Sequence, residues 1–204
     1  MAVTAEFIFD FGSPNAYLSH RVLPAIAART GVPFVYVPAL LGGIFKATGN
    51  VSPMVAFAGI KNKLEYQALE TRRFLAAHGI DDYVRNPDFP INTLQIMRGA
   101  IAAKRLDCYA AYVDAVFDHM WRRPKKMDEP ETIRAAFLES GLPADDLIAG
   151  MQAPEVKSEL VANTEAAVAR GVFGSPSFFV DGALYFGKDR LEAVEAEILR
   201  RKAA

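Results

Sequence analysis

Ser13 stands in Asp10-Phe11-Gly12-Ser13-Pro14, a corner where an apolar run beginning at Glu6 ends and a helical pattern begins. A hydroxyl there faces the unpaired N–H groups and positive dipole end of a helix, surroundings that favour negative charge. Gly174-Ser175-Pro176-Ser177 is a second corner, just before the apolar run Phe178 to Val180. The two corners suggest one site drawn from both ends of the chain. For Ser13 to attack as a nucleophile it would need a base. The nearest histidine, His20, is about 10 Å of helical rise away, beyond hydrogen-bond reach. Each corner also has a plain structural reading. Serine before proline is an ordinary N-cap with a favourable first helical residue, and Ser175-Pro176 suits a simple turn.

The elements that must position these corners follow from the pattern of apolar residues. Glu6 to Phe11 reads as a strand, and Pro14 to Thr30 repeats apolar residues at helical spacing through Leu18, Val22 and Ile26, with Gly31 as the stop. Phe34 to Val37 is a second strand, so the first forty residues predict a βαβ unit with a parallel pair. Ser13 then lies at the carboxyl end of a strand, where open α/β sheets bind ligands. From Gly42 to Arg170 the strand signals give way to helical patterns over 63–78, 93–121, 130–140, 144–151 and 154–170. The stripe Tyr109, Tyr112, Val113, Val116, Phe117 and Met120 is read as the packed face of this helical layer. Strands return at Phe178–Val180 and Leu184–Phe186, joined by Asp181-Gly182, a tight-hairpin signal. A final helix follows, which Asp189 could cap with Glu192 at its third position. The domain boundaries expected are 1–41 with 171–204 for the α/β part and 42–170 for the helical insertion.

Composition excludes several classes of function. The chain has 204 residues, 51% apolar and 23% charged, with a formal net charge of −1, as in a globular protein with a full core. That balance gives no reason to expect nucleic acid, and Arg122 to Lys126 is read as a solvated helix end. The first residues lack the pattern of a secretory signal and no apolar run is long enough to span a bilayer, so a cytoplasmic protein without membrane partners is expected. Cys108 is the single cysteine, which rules out an internal disulfide or a Cys-x-x-Cys couple. Its place in a helical pattern suggests a small buried side chain. His20, His78 and His119 show no ligand spacing, and no metal is expected.

Six segments in order carry a resemblance: Asp10 to Leu18, Gly49 to Pro53, Lys63 to Tyr66, Phe89 to Leu94, Gly171 to Phe178, and Phe186 to Arg190. In this order the chain resembles the 2-hydroxychromene-2-carboxylate isomerases, grouped with kappa-class glutathione transferases in the DsbA-like branch. The resemblance implies an α/β thioredoxin-like fold with a large all-helical insertion between its βαβ and ββα halves. It implies glutathione as cofactor, a small aromatic carboxylate as substrate, and a homodimer. By the same resemblance Ser13 is the catalytic residue facing the glutathione sulfur. Asn50, Ser175, Pro176, Gly187, Lys188 and Asp189 join Ser13 in binding glutathione, and Lys63 and Asn92 receive the substrate. The implied reaction adds the thiolate to a conjugated substrate, allows bond rotation and releases glutathione unchanged. Within this resemblance, Met54 to Lys61 departs from the polar or proline-rich segment expected after the Gly49-Asn50 motif.

The physics of that role is adequate. Lowering a thiol pKa from about 8.5 to about 6.5 raises the thiolate at pH 7 from about 3% to roughly three quarters, for about 2.7 kcal/mol. A helix N-terminus offers roughly 0.3–2 kcal/mol and a hydrogen bond to a charged group about 1.5–3 kcal/mol. Two other readings stand beside the isomerase: a kappa-like transferase that conjugates or reduces electrophiles, and a redox-dead DsbA-like module that binds extended peptides by strand addition beside Pro176.

Overall fold

A computed structural model describes residues 2–203. The chain runs β1 (Ala5–Phe9), α1 (Pro14–Thr30), β2 (Phe34–Pro38), then the helices α2 (Leu41–Thr48), α3 (Pro53–Ala56), α4 (Lys63–His78), α5 (Leu94–Arg105), α6 (Tyr109–Trp121), α7 (Pro130–Glu139), α8 (Ala144–Gly150) and α9 (Pro154–Ala169). It closes with β3 (Ser177–Val180), β4 (Ala183–Phe186), a 3₁₀ turn (Lys188–Arg190) and α10 (Leu191–Lys202). This is the thioredoxin-like α/β fold with a helical insertion between a βαβ and a ββα half. The sheet order is β2-β1-β3-β4. β1 pairs parallel with β2, Phe7 opposite Tyr36, and antiparallel with β3, Phe7 opposite Phe178.

Alternation along the central strands feeds two faces. Phe7 and Phe9 with Phe178 and Val180 enter a core shared with α1, α10 and the inserted helices. Ile8 and Phe179 face the other way, onto Ile44 of α2 and Ala167 of α9. An aromatic column ties the sheet to the helical layer behind the Ser13 corner: Phe9 to Phe11 at 5.2 Å and Phe11 to Phe117 at 4.8 Å between ring centroids. The buried Trp121 Nε1–H donates to the Phe11 carbonyl at 2.7 Å. That bond fixes the chain at the point where it leaves β1, because an unpaired indole N–H in the core would be costly.

The structure corrects several expectations. β1 ends at Phe9 rather than Phe11, since the corner begins once Asp10 turns its side chain into local hydrogen bonds. The pattern over 93–121 is two helices, broken where Asp107 adopts a left-handed φ of 53°. Cys108 therefore sits at the start of α6, half-buried rather than buried within a helix. α2 and α3 were not legible in the pattern, being short. In the stripe, Tyr112, Val113, Val116, Phe117 and Met120 are buried as expected, while Tyr109 is half-buried and donates through its hydroxyl to the Tyr36 carbonyl. Arg122 to Lys126 is an exposed helix end, ion-paired with Asp82, Asp118, Glu129 and Glu139.

Candidate functional site

Ser13 is the N-cap of α1, with extended backbone (φ −93°, ψ 113°) and Pro14 at the first helical position. Its Oγ accepts from the Ala16 N–H at 3.2 Å and donates to the Ser175 carbonyl at 2.9 Å. The two corners, 162 residues apart in the chain, thus meet through one hydroxyl. The Ser175–Pro176 peptide is cis. Ser175 Oγ in turn accepts from the Asp10 N–H at 3.2 Å, so the contact between the corners is reciprocal. Ser13 is 5% exposed. α1 carries no acidic residue in its first turn to offset the positive end of its dipole.

Gly187 adjoins Pro176, its N–H donating to the Pro176 carbonyl at 3.0 Å. Its φ of 94° with ψ of 151° is a conformation for which a side chain is poorly suited. Lys188 follows, 5% exposed despite its charge, with Nζ paired to the Asp189 carboxylate and 4.7 Å from the Phe74 ring of α4. Asp189 does not cap α10, whose N-cap is Arg190 with no side-chain hydrogen bond. It lies in the 3₁₀ turn and leaves its carboxylate largely exposed, so the capping expectation is replaced by a charge pair at the groove. Asn50 Nδ2 donates to the Phe173 carbonyl at 2.8 Å, holding the loop that leads into Ser175.

The two residues expected to meet a substrate have partners of their own. Asn92 Oδ1 accepts from the Leu94 N–H at 3.0 Å, beside Thr93 at the start of α5. Thr93 closes on the Ser13 corner from that side: a Cβ on Gly12 would lie 3.0 Å from its Cγ2. Lys63 opens α4, exposed, with Nζ 5.1 Å from the Phe57 ring centroid. His20 is engaged elsewhere, Nδ1 with the Tyr36 hydroxyl at 3.0 Å and Nε2 with Asp114 at 3.2 Å, and supplies no base to Ser13. A concavity of about 620 Å³ lined by His20, Arg21, Asp114 and Arg122 does not include Ser13.

One residue of the site escaped sequence reading. Asp10 is fully buried, Oδ1 accepting from the Gly12 N–H at 2.8 Å and Oδ2 from the Leu41 N–H at 2.7 Å. The Thr93 side chain stands beside them at Gly12 and also favours the charged form. Burial raises its pKa above the ordinary aspartate value, and these hydrogen bonds oppose that rise without cancelling it. A signal existed, an acid at the carboxyl end of an apolar strand two residues before a glycine, but strand-end acids are commonplace.

Three comparisons bear on this arrangement. Residues 4–199 match the model of a family described as DSBA-like thioredoxin domain. The 2-hydroxychromene-2-carboxylate isomerase of Sphingobium xenophagum is 29% identical over 199 residues, 98% of this chain and all of that protein. Human glutathione S-transferase kappa 1 is 28% identical, covering 98% of this chain and 92% of its own. A solved structure of a 2-hydroxychromene-2-carboxylate isomerase superposes with a TM-score of 0.82 at 26% identity, over 97% of this chain and 95% of the other. No helix among the described residues is long and apolar enough to cross a membrane.

Proposed function

This chain belongs to the DSBA-like thioredoxin-domain family, with homology to the 2-hydroxychromene-2-carboxylate isomerases, and we propose that it is a glutathione-dependent isomerase. Its substrates on this reading are 2-hydroxychromene-2-carboxylate and trans-o-hydroxybenzylidenepyruvate, interconverted in naphthalene-type aromatic catabolism. The observation that carries the reading is Ser13, a hydroxyl at the head of α1 held 2.9 Å from the carbonyl that precedes cis Pro176.

The residues present fit glutathione. The first turn of α1 holds no acid that would repel a thiolate. Lys188 and Asp189 offer one charge of each sign, matching a terminus that carries both an amine and a carboxylate. When bound, glutathione supplies the nucleophilic thiol. Ser13 would turn its proton from the Ser175 carbonyl to the sulfur, and the N-terminus of α1 would favour the anion. Ser175 and Pro176 would hold the cysteinyl part, Gly187, Lys188 and Asp189 the other end, and Asn50 would keep the loop in register. Lys63 would pair with the substrate carboxylate and Asn92 would donate from its amide to the substrate hydroxyl.

The test is a spectrophotometric assay of both substrates with and without reduced glutathione. Turnover that depends on glutathione, leaves its total unchanged and falls in Ser13→Ala supports the reading; turnover without glutathione sinks it. The human kappa-class relative supports a second reading, in which a conjugate is released, and glutathione consumption at turnover selects it. A homodimer is proposed on the same resemblance, and light scattering of the purified chain tests it.

A further inference from the structure

Asp10 touches every segment that builds the Ser13 corner. Its carboxylate accepts the N–H of Gly12 at the corner and the N–H of Leu41 at the start of α2, with the Thr93 side chain at the start of α5 beside it. Its own N–H reaches Ser175 Oγ, and its carbonyl accepts the Ser13 N–H at 3.0 Å. α2 has no side-chain cap of its own at Leu40, so the Asp10 carboxylate takes over that role from the corner after β1. Gly12 is glycine for the same reason: a Cβ there would meet Asp10 Oδ1 at 3.2 Å as well as Thr93. A buried carboxylate is costly unless its lone pairs are used, and a neutral acid gives up one acceptor and gains a proton that the two N–H donors cannot receive.

We infer that Asp10 is the positioning residue of the site, its ionised carboxylate holding the Gly12–Ser13 corner against Ser175 so that the site is assembled only while Asp10 is charged. The inference rests on the reading of Ser13 as the thiolate donor. The groups that meet the carboxylate, Gly12, Leu41 and Thr93, and Ser175, which meets the Asp10 N–H, are all uncharged, so no ion pair holds its proton off. Burial therefore moves its titration above the ordinary aspartate range, and the corner loosens at a pH where the rest of the fold persists.

The experiment is a pH titration of the full chain by amide NMR, paired with calorimetry of reduced glutathione binding, on wild type, Asp10→Asn and Thr93→Val. In the free wild type, the Gly12 and Leu41 amides titrate together, with a midpoint above the ordinary aspartate value of about 4. Glutathione affinity falls about tenfold per pH unit below that midpoint, as expected for one required deprotonated group. Thr93→Val removes a polar neighbour that favours the charged form and moves both midpoints upward. Asp10→Asn abolishes the acid limb and weakens binding about tenfold at neutral pH, the order of one charged hydrogen bond. Amides that stay still, or an acid limb that survives in Asp10→Asn, overturn the inference. Amides that titrate in a wild type that never binds glutathione leave the positioning role standing and sink the functional reading instead. Thr93→Val also keeps the test decisive should Asp10→Asn fail to fold.

Discussion

Replacing Ser13 by alanine removes two hydrogen bonds that can be weighed separately. The bond from the Ala16 N–H is an N-cap, worth about 1 kcal/mol within a range of about 0.5–2. The bond to the Ser175 carbonyl is a neutral pair, worth about 1 kcal/mol net, at a half-buried residue that water can partly re-solvate. Ser13→Ala should therefore cost about 1–3 kcal/mol, lowering the melting temperature by roughly 2–10 °C for a chain of this size. The chemical effect is smaller than a free hydroxyl would give, because the proton that serves a thiolate must first leave Ser175. Exchanging a neutral bond of about 1 kcal/mol for a charged one of about 1.5–3 nets about 0.5–2 kcal/mol, or roughly 0.4–1.5 pKa units. The dipole of α1 survives the substitution. The assay is thiolate absorbance of bound glutathione against pH, with Ser13→Gly beside Ser13→Ala, since glycine keeps most of the cap and loses the hydroxyl equally. Both variants should raise the bound thiol pKa by about one unit and lose the Ser175 bond, while alanine lowers the melting temperature further by the cost of the cap. A shift under about 0.3 unit with binding intact refutes hydroxyl stabilisation and leaves Ser13 a cap.

Other expectations are direct. The folded-state pKa of Asp10 is raised, so protonation relieves the cost of its buried charge: the global stability linked to it is fully present below the unfolded pKa and lost as pH rises through the folded one, although protonation loosens the corner itself. Wild type should therefore gain stability relative to Asp10→Asn on acidification through that window, measured by denaturant unfolding at several pH values; a gain on raising pH would show the sign to be wrong. Gly187→Ala places a side chain at φ 94° and should weaken glutathione binding more than it lowers stability, by calorimetry and thermal melts. Gly99→Ala sets a Cβ 2.0 Å from the Tyr112 hydroxyl, which donates to the Ile96 carbonyl, and should destabilise by about 1–3 kcal/mol or more in urea unfolding. Trp121→Phe strands the Phe11 carbonyl and should cost a similar 1–3 kcal/mol by order of magnitude, read from the same unfolding curves.

Residues near in sequence settled much of the fold. The Gly-Ser-Pro corner, Gly31 at a left-handed φ of 70°, and the Asp181-Gly182 turn at φ 45° and 85° are all local signals, because caps and tight turns depend on two or three neighbouring side chains. The run 63–78 appears as α4 with its expected ends for the same reason. The break at Asp107 was invisible, since the apolar period continues across it and only the packing of α5 against α6 decides the turn. The site divides along the same line. Ser13 and Ser175 could be picked out by their prolines, but their contact across 162 residues, the burial of Asp10 and of the Lys188 ammonium, and the release of Asp189 from capping came from tertiary structure alone. The physical reason is that a cap or a turn is a short-range hydrogen bond written in adjacent residues. Whether a polar side chain is buried, and which distant donor satisfies it, depends on the closing of the whole core around it.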